Sequence, residues 1–414
     1  MLQVRHAGQA VGTLKAEGRE LVFNYDHDWL ARSHAFPVSP RIPLELADYA
    51  GEEVLFFFAN LLPEGNVLDT LCRLRRLPKG NVYRLLEAFG RECAGAFELV
   101  PDGAIDERKP TYEPYSQEQL SKDFAALRDN IPLLQRHDQL RLSLAGAQNK
   151  IPVRYAQGML SLPMEGAAST HILKPALQPE KHYPHAVHNE ALCMRLAAKV
   201  GIPVAAVQLM SDPEPFLLIE RFDRVVDGEQ VHRLHQLDFC QLAGVLPDQK
   251  YEADGGPSLA DIFNLVDAYS AVPARDRLQL IDWLLFNYLI GNADAHAKNA
   301  SMLYGRDGRL RLAPAYDLLS TAYWPEVSDK MATAIGGEYR PEWVMQRHWQ
   351  RIAEKLGLNL TLLRRRALGL ATAANDHLSR TADDLGMSPE SPVVKSVRQL
   401  LAKRASRFET RLMP

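Results

Sequence analysis

The sequence predicts an α+β protein in which a strand-rich lobe precedes a helical one, and two stretches carry that expectation. From residue 139 to 222 short apolar runs alternate with turn residues, as in IPVRYAQGMLSLP, the pattern of half-buried strands joined by hairpins. Beyond Arg224 apolar residues recur three and four apart, as helices with one buried face require.

In chain order, QVRHAGQAVGTLKAEGRELVFNY alternates between glycines and reads as a small antiparallel meander. From Glu52 to about Phe97 the spacing turns helical, in FFFANLLPEGN and NVYRLLEAFGREC. PDGAIDERKPTYEPY, rich in proline and charge, reads as a linker or long surface loop. Ser116 with Gln119 forms a capping-box pattern ahead of the helix SQEQLSKDFAALRDN. QLRLSL is then a strand, AGAQNK a turn, and IPVRYAQ and MLSLP two strands about a Gln-Gly turn. STHILKPA is a strand ending at Lys174, and HNEALCMRLAAKV a helix closed by Gly201, with Glu190 on its first turn. VAAVQLM and PFLLIERF complete the strand-rich lobe. After Arg224 only SMLYG and RLRLAPAYD, a short hairpin, interrupt the helices. The chain thus divides into 1–115, 116–224 and 225–414.

Its 414 residues suffice for two to three domains, and 46% hydrophobic with 24% charged residues is an ordinary globular composition. Lys and Arg total 48 against 51 Asp and Glu, so overall charge points to no nucleic-acid or membrane partner. The start, MLQVRHAGQAVG, has no basic-then-apolar run. VLFFFANLL and WLLFNYLIG fall short of the roughly 20 residues that span a bilayer. Cys72, Cys93, Cys193 and Cys240 form no CxxC pair and read as reduced core thiols of a cytoplasmic protein. HYPHAVH reads as a polar loop leading into a helix rather than a metal site. The basic run KSVRQLLAKRASRFETRL, with Arg364 to Arg366, reads as a solvated helix face, contact with DNA phosphates being the alternative.

The chemistry gathers around LIGNADAHAKNASMLY, where a polar loop follows directly on the apolar run WLLFNYLIG. Phosphoryl transfer needs a divalent metal held by carboxylate and amide oxygens, and a carboxylate that receives the proton of the acceptor hydroxyl. Asp294 and Asn299 stand five apart on this loop, and Asp317 follows 23 residues after Asp294, at the end of RLRLAPAYD. Alone, D-x-x-x-x-N reads first as a solvated turn capped by Asn299. The remaining parts stand in the expected order, however. Lys174 ends a strand from which it can reach phosphates, and Glu190, 16 residues on, is placed to pair with it. SLAGAQNK offers backbone amides and Lys150 to a phosphate, and Glu220 to Phe222 offer backbone groups and one ring to adenine.

At FFFANLLPEG, SLAGAQNK, THILKP, HNEALCMRLA, IERFDR, KYEADGGP, GNADAHAKN and APAYDLLS the sequence resembles the HipA-type serine/threonine kinases, the toxins of bacterial toxin–antitoxin pairs. The resemblance runs from about residue 50 to 320. It implies a two-lobed protein-kinase-like fold related to the phosphoinositide kinases, with an extra N-terminal subdomain, and use of ATP and Mg2+. Carried over, Asp294 would be the catalytic base, and Asn299 and Asp317 would hold the metal. Ala145, Gly146, Ala147, Gln148, Asn149, Lys150, Lys174, Glu220, Arg221, Phe222, His296, Ala297, Lys298, Asn299, Tyr316 and Asp317 would form the ATP site. Ser143 matches a serine that such kinases phosphorylate on themselves, and a phosphate there would repel those of ATP. Asn149 departs from the family, which commonly has Glu or Asp there, and no HRD motif is present. The resemblance further implies a helix-turn-helix antitoxin, operator DNA bound through it, and a translation component such as an aminoacyl-tRNA synthetase as substrate. A small-molecule or lipid-headgroup kinase, and a catalytically silent co-repressor module, remain the alternatives.

Overall fold

A computed structural model of the chain describes residues 1–18, 20–103, 110–128, 148–176 and 182–412. The fold is α+β and divides into two compact units: Met1–Gln178, Met210–Pro247 and Met302–Leu310 form one, and Pro179–Leu209, Asp248–Ser301 and Arg311–Pro414 the other. The strand QLRLSL, Ser143 and residues 145–147 lie outside the described residues.

The first unit opens with the meander, strands Leu2–His6, Gln9–Glu17 and Glu20–Tyr25. They join a five-stranded sheet between Asp48–Ala50 at one edge and Glu98–Pro101 at the other. Alternation sends Leu2, Val4, Leu14, Phe23 and Tyr25 inward. At Gly12 a Cβ would lie 2.3 Å from the Asn24 carbonyl, so only glycine lets these strands approach. Helices Glu52–Ala59, Gly65–Arg75 and Val82–Phe89 occupy the region of helical spacing.

The second sheet of this unit runs Phe216–Glu220, His171–Pro175, Ile151–Ala156, Met159–Met164, Thr111–Pro114 in spatial order, each neighbour antiparallel. Gln157 and Gly158 both have positive φ, the geometry a two-residue hairpin needs. Helix Gln117–Arg128 lays Leu120, Phe124 and Leu127 against Ile151, Val153, Leu173 and Phe216. Its start is the expected capping box: Gln119 Oε1 accepts from the Ser116 N–H at 2.9 Å, and the Gln119 N–H donates to Ser116 Oγ at 3.2 Å.

Two expectations need correction. PDGAIDERKPTYEPY is not all loop, because Thr111–Pro114 pairs with Met159–Met164. Nor is the chain purely helical from Arg224 to the SMLYG hairpin: Arg224–Asp227 and Gln230–Arg233 form a hairpin about Gly228 and Glu229, and Gln236–Asp238 is a further strand. Asp-Gly between alternating residues is the signal that was available for that hairpin.

The hairpin brings Arg224 and Arg233 opposite each other, and both reach Glu92. Arg221 donates to Glu92 Oε1 at 2.9 Å and forks onto Asp223 at 2.9 and 2.8 Å. Ser169 Oγ also donates to Glu92 at 2.7 Å, and the Gly95 N–H to Asp223 at 2.8 Å. The Glu92, Asp223, Arg221, Arg224 and Arg233 side chains are almost fully buried. Burial alone would raise the Glu92 carboxyl, but Arg233, Arg224 and Arg221 together outweigh it and hold it down to about 2. This cluster ties the segment after helix Val82–Phe89 to the second sheet.

The second unit is helical. Ala186–Lys199, Leu259–Tyr269, Pro273–Ile290, Gln346–Lys355, Leu360–Asp384 and Pro392–Arg411 are its helices, with Ser258, Asn359 and Ser391 as hydrogen-bonding N-caps. No described helix is long and apolar enough to cross a membrane. The basic C-terminal run is not simply a solvated face. Arg404 is buried and donates to the Tyr288 carbonyl, Arg407 pairs with Glu342, and Arg366 forks onto Asp282.

Glu92→Gln is expected to destabilise the protein by about 3–5 kcal/mol at pH 7, because three buried guanidinium groups lose their shared carboxylate. A depressed carboxylate stabilises fully above its ordinary 4.5 and loses that contribution as pH falls toward about 2. Denaturant titrations between pH 7 and pH 2 should therefore show the stability difference between wild type and variant shrinking across that interval.

Candidate active site

Helix Pro273–Ile290 delivers the loop. Its second half, from Trp283 to Ile290, is buried throughout, and it ends where Gly291 turns left-handed at φ 73°. A Cβ at Gly291 would sit 2.6 Å from Leu400 Cδ2 and 2.8 Å from Ala322 Cβ, so the turn admits no side chain. The Arg404 guanidinium lies 4.8 Å over the Tyr288 ring and donates to the Tyr288 carbonyl, which closes the helix end with a positive charge.

Past the turn, side-chain amides shape the chain. The Asn292 amide nitrogen donates to Asn287 Oδ1 at 2.8 Å and to the Asp317 carbonyl at 3.2 Å, while its oxygen receives the Asp294 N–H at 3.1 Å. The Asn299 amide nitrogen donates back to the Asp294 carbonyl at 2.8 Å across the turn Ala297–Asn299. That bond explains the spacing of five between Asp294 and Asn299. A backbone carbonyl only accepts, so the nitrogen must face it and the amide oxygen points the other way. The Asp294 side chain is 48% exposed, whereas His296 beside it is 7% exposed with its Nε2 at 3.9 Å from Asp294 Oδ1. Tyr251 donates its hydroxyl to the same oxygen at 2.5 Å.

The segment bearing Tyr316 and Asp317 is fixed against this loop at several points. Thr321 Oγ1 receives the Ala293 N–H at 2.7 Å and donates to the Gly291 carbonyl at 3.0 Å. Tyr316 Oη donates to the Lys298 carbonyl at 2.7 Å and meets Ser301 Oγ at 2.6 Å. Asn189, on helix Ala186–Lys199, clamps Ser320 from both sides, donating to its carbonyl at 2.9 Å and accepting its N–H at 2.8 Å. Asp317 itself has φ 57°, a left-handed conformation that Asp tolerates better than most residues. Strand Leu310–Leu312 ends five residues before it, so Asp317 stands on a turn rather than at a strand end.

Asp294, Asn299 and Asp317 supply hard oxygen donors of the kind magnesium takes. Among the described residues no three His, Cys, Asp or Glu assemble for a metal.

In the first unit Lys174 lies in strand His171–Pro175 and is 7% exposed, so it is no snorkelling surface lysine. Gln148, Asn149 and Lys150 are half-buried just before strand Ile151–Ala156. Glu220 ends strand Phe216–Glu220, and the Arg221 N–H already donates to the Thr170 carbonyl at 3.0 Å. The Arg221 side chain belongs to the buried ion cluster. In the second unit Ala297 and Lys298 are buried, as is Glu190, which stands on the second turn of its helix because the helix starts at Ala186.

Family models match most of the chain: the HipA N-terminal domain at residues 2–100 and the HipA-like C-terminal domain at 142–383. A serine/threonine-protein kinase toxin HipA of Shewanella oneidensis is 33% identical over 355 residues, covering 82% of this chain and 79% of the relative. The chain belongs to the HipA family. A putative kinase of Sinorhizobium fredii is 39% identical over 394 residues, covering 93% and 92% of the two chains. A HipA chain solved in a Shewanella oneidensis MR-1 complex of HipA, HipB and operator DNA superposes with a TM-score of 0.83 at 28% identity, over 99% of this chain and 98% of that one. The expected two-lobed, kinase-like α+β fold is thus the fold of a HipA serine/threonine kinase.

Sequence reasoning did not single out Tyr251, Asn292, Thr321 or Asn189, which hold the loop and the Asp317 turn. Each carries an ordinary polar side chain whose importance lies in its partner; GNADAHAKN, KYEADGGP and HNEALCMRLA contain Asn292, Tyr251 and Asn189 without marking them, and Thr321 lies outside every such stretch. Gly291→Ala is expected to lower stability by at least about 1 kcal/mol, because it adds a Cβ at positive φ against Leu400 and Ala322. Thermal denaturation measures that loss.

Proposed function

We propose that the chain is an ATP- and Mg2+-dependent serine/threonine kinase toxin that acts in the cytoplasm on a translation component such as an aminoacyl-tRNA synthetase. The observation that carries the proposal is the Asp294 loop. An accessible carboxylate is fixed by its own backbone to Asn299, and Asp317 is tied to the same loop through Asn292.

When bound, magnesium ATP supplies the phosphoryl group to be transferred and the charge that shields it. Asp294 would accept the proton of the acceptor hydroxyl as that oxygen attacks the γ-phosphorus of ATP, whose bond to the bridging oxygen breaks so that ADP leaves. Asn299, through its amide oxygen, and Asp317, through its carboxylate, would hold the metal. Lys174, residues 145–150 and residues 220–222 bind nucleotide, with 296–299 and Tyr316 shaping the remainder of its site. Phosphorylation of Ser143 switches the enzyme off, and the segments 1–115, 116–224 and 225–414 are its N-terminal subdomain, N-lobe and C-lobe. The HipA relative solved with HipB and operator DNA supports a helix-turn-helix antitoxin as partner, with DNA bound through that complex. Arg404, Arg407 and Arg366 are engaged within the chain, so DNA phosphates would be met by other basic residues.

The test uses γ-labelled ATP and Mg2+ with purified protein, alone and with bacterial lysate. Label is expected on Ser143 and on one lysate protein, and Asp294→Asn should reduce both by at least ~100-fold, the lower range for a general base. Label confined to small molecules would replace this reading with that of a metabolite kinase. Lys174→Met is expected to raise the KM for ATP and leave the fold intact, which circular dichroism checks.

A further inference from the structure

We infer that Tyr251 is a positioning residue for Asp294, holding one carboxylate oxygen so that the other is presented to the acceptor hydroxyl. The inference rests on the kinase reading of the same loop. Tyr251 donates its phenol to Asp294 Oδ1 at 2.5 Å, the short distance of a hydrogen bond to a carboxylate. His296 Nε2, at 3.9 Å from that oxygen, is beyond hydrogen-bond range, so of these two neighbours the phenol is the one that bonds it. A carboxylate as open as that of Asp294 rotates freely unless something fixes it.

The turn that carries Tyr251 is built to hold still. Both the Asp254 and Gly256 N–H groups donate to the Tyr251 carbonyl, at 3.0 and 2.9 Å. A Cβ at Gly256 would lie 2.0 Å from the Gln249 carbonyl and 2.8 Å from that of Tyr251, so this closure requires glycine. On one side of Tyr251 the Lys250 carbonyl accepts the Ala297 N–H at 3.3 Å. On the other, the Glu252 N–H donates to the Ala332 carbonyl at 3.1 Å, and the Ala332 N–H to the Ala293 carbonyl at 2.9 Å. The turn is therefore stitched to the Asp294 loop both before and after Asp294. The Tyr251 ring also stands edge-on to His296, 5.2 Å between centroids. KYEADGGP thus acts as a strut whose tip is the phenol oxygen.

Tyr251→Phe keeps the ring against His296 and removes only the donor. With γ-labelled ATP and the full-length protein, the maximal rate of phosphate transfer is expected to fall by ~10-fold or more. The KM for ATP, the calorimetric Kd for ATP with Mg2+, and Tm should stay at wild-type values. An unchanged maximal rate would overturn the inference. So would a higher rate, which would mean that the phenol competes with the acceptor, or a fall accompanied by changes in KM and Tm, which would mean a general structural role. Asp294→Asn is run alongside. If wild type transfers no more label than Asp294→Asn, the kinase reading fails and this inference with it. If wild type is active and Asp294→Asn is not, the outcome for Tyr251→Phe stands on its own.

Discussion

The candidate site depends on one left-handed turn. Gly291 ends helix Pro273–Ile290, and its carbonyl receives both the Thr321 hydroxyl and the Ala322 N–H, so the helix end, the Asp294 loop and the segment after Asp317 meet at one residue. A buried helix is stiff, and a turn with no room for a side chain has one conformation. Precision at Asp294 is inherited from that stiffness. The Arg404 guanidinium completes the arrangement from the last helix of the chain, which explains why a residue so far along the sequence is buried at a helix end.

In the first unit the corresponding constraint is electrostatic. Glu92 and Asp223 bind three buried arginines, and the desolvation of five charges is offset only because nearly every polar atom finds a partner. Such a cluster is a weak source of net stability, and in the observed register of the hairpin Arg224 and Arg233 stand opposite each other and both reach Glu92. The hairpin leads on to His235, which sits among Phe36, Phe97 and Tyr304, and burial pushes its imidazole down to about 3, so it stays neutral there.

Much of this was legible beforehand, and the reasons differ by element. The meander, the Gln157-Gly158 hairpin and the Ser116–Gln119 cap were readable because local chemistry decides them. The Asp294–Asn299 spacing was readable as a motif, although its cause, an amide reaching back to a carbonyl, is visible only in three dimensions. The hairpin after Arg224 was missed because helical spacing further on dominated the reading. Thr111–Pro114 was missed because four residues carry too little alternation to outweigh the prolines around them. Tyr251, Asn189 and Thr321 act on partners 43, 131 and 30 residues away, and no periodicity encodes such bonds. The basic C-terminal helix misled for a related reason: charge counts do not show which guanidinium groups are turned inward.

We propose that Asp294, Asn299 and Asp317 form a magnesium-dependent nucleotide site in this HipA-family kinase. Calorimetric titration with a non-hydrolysable ATP analogue, with and without Mg2+, tests it most directly when wild type is compared with Asp317→Asn. Mg2+ is expected to tighten binding to wild type, and this metal dependence to disappear in the variant while the fold is retained. Equal binding with and without metal in wild type, or no binding at all, would contradict it.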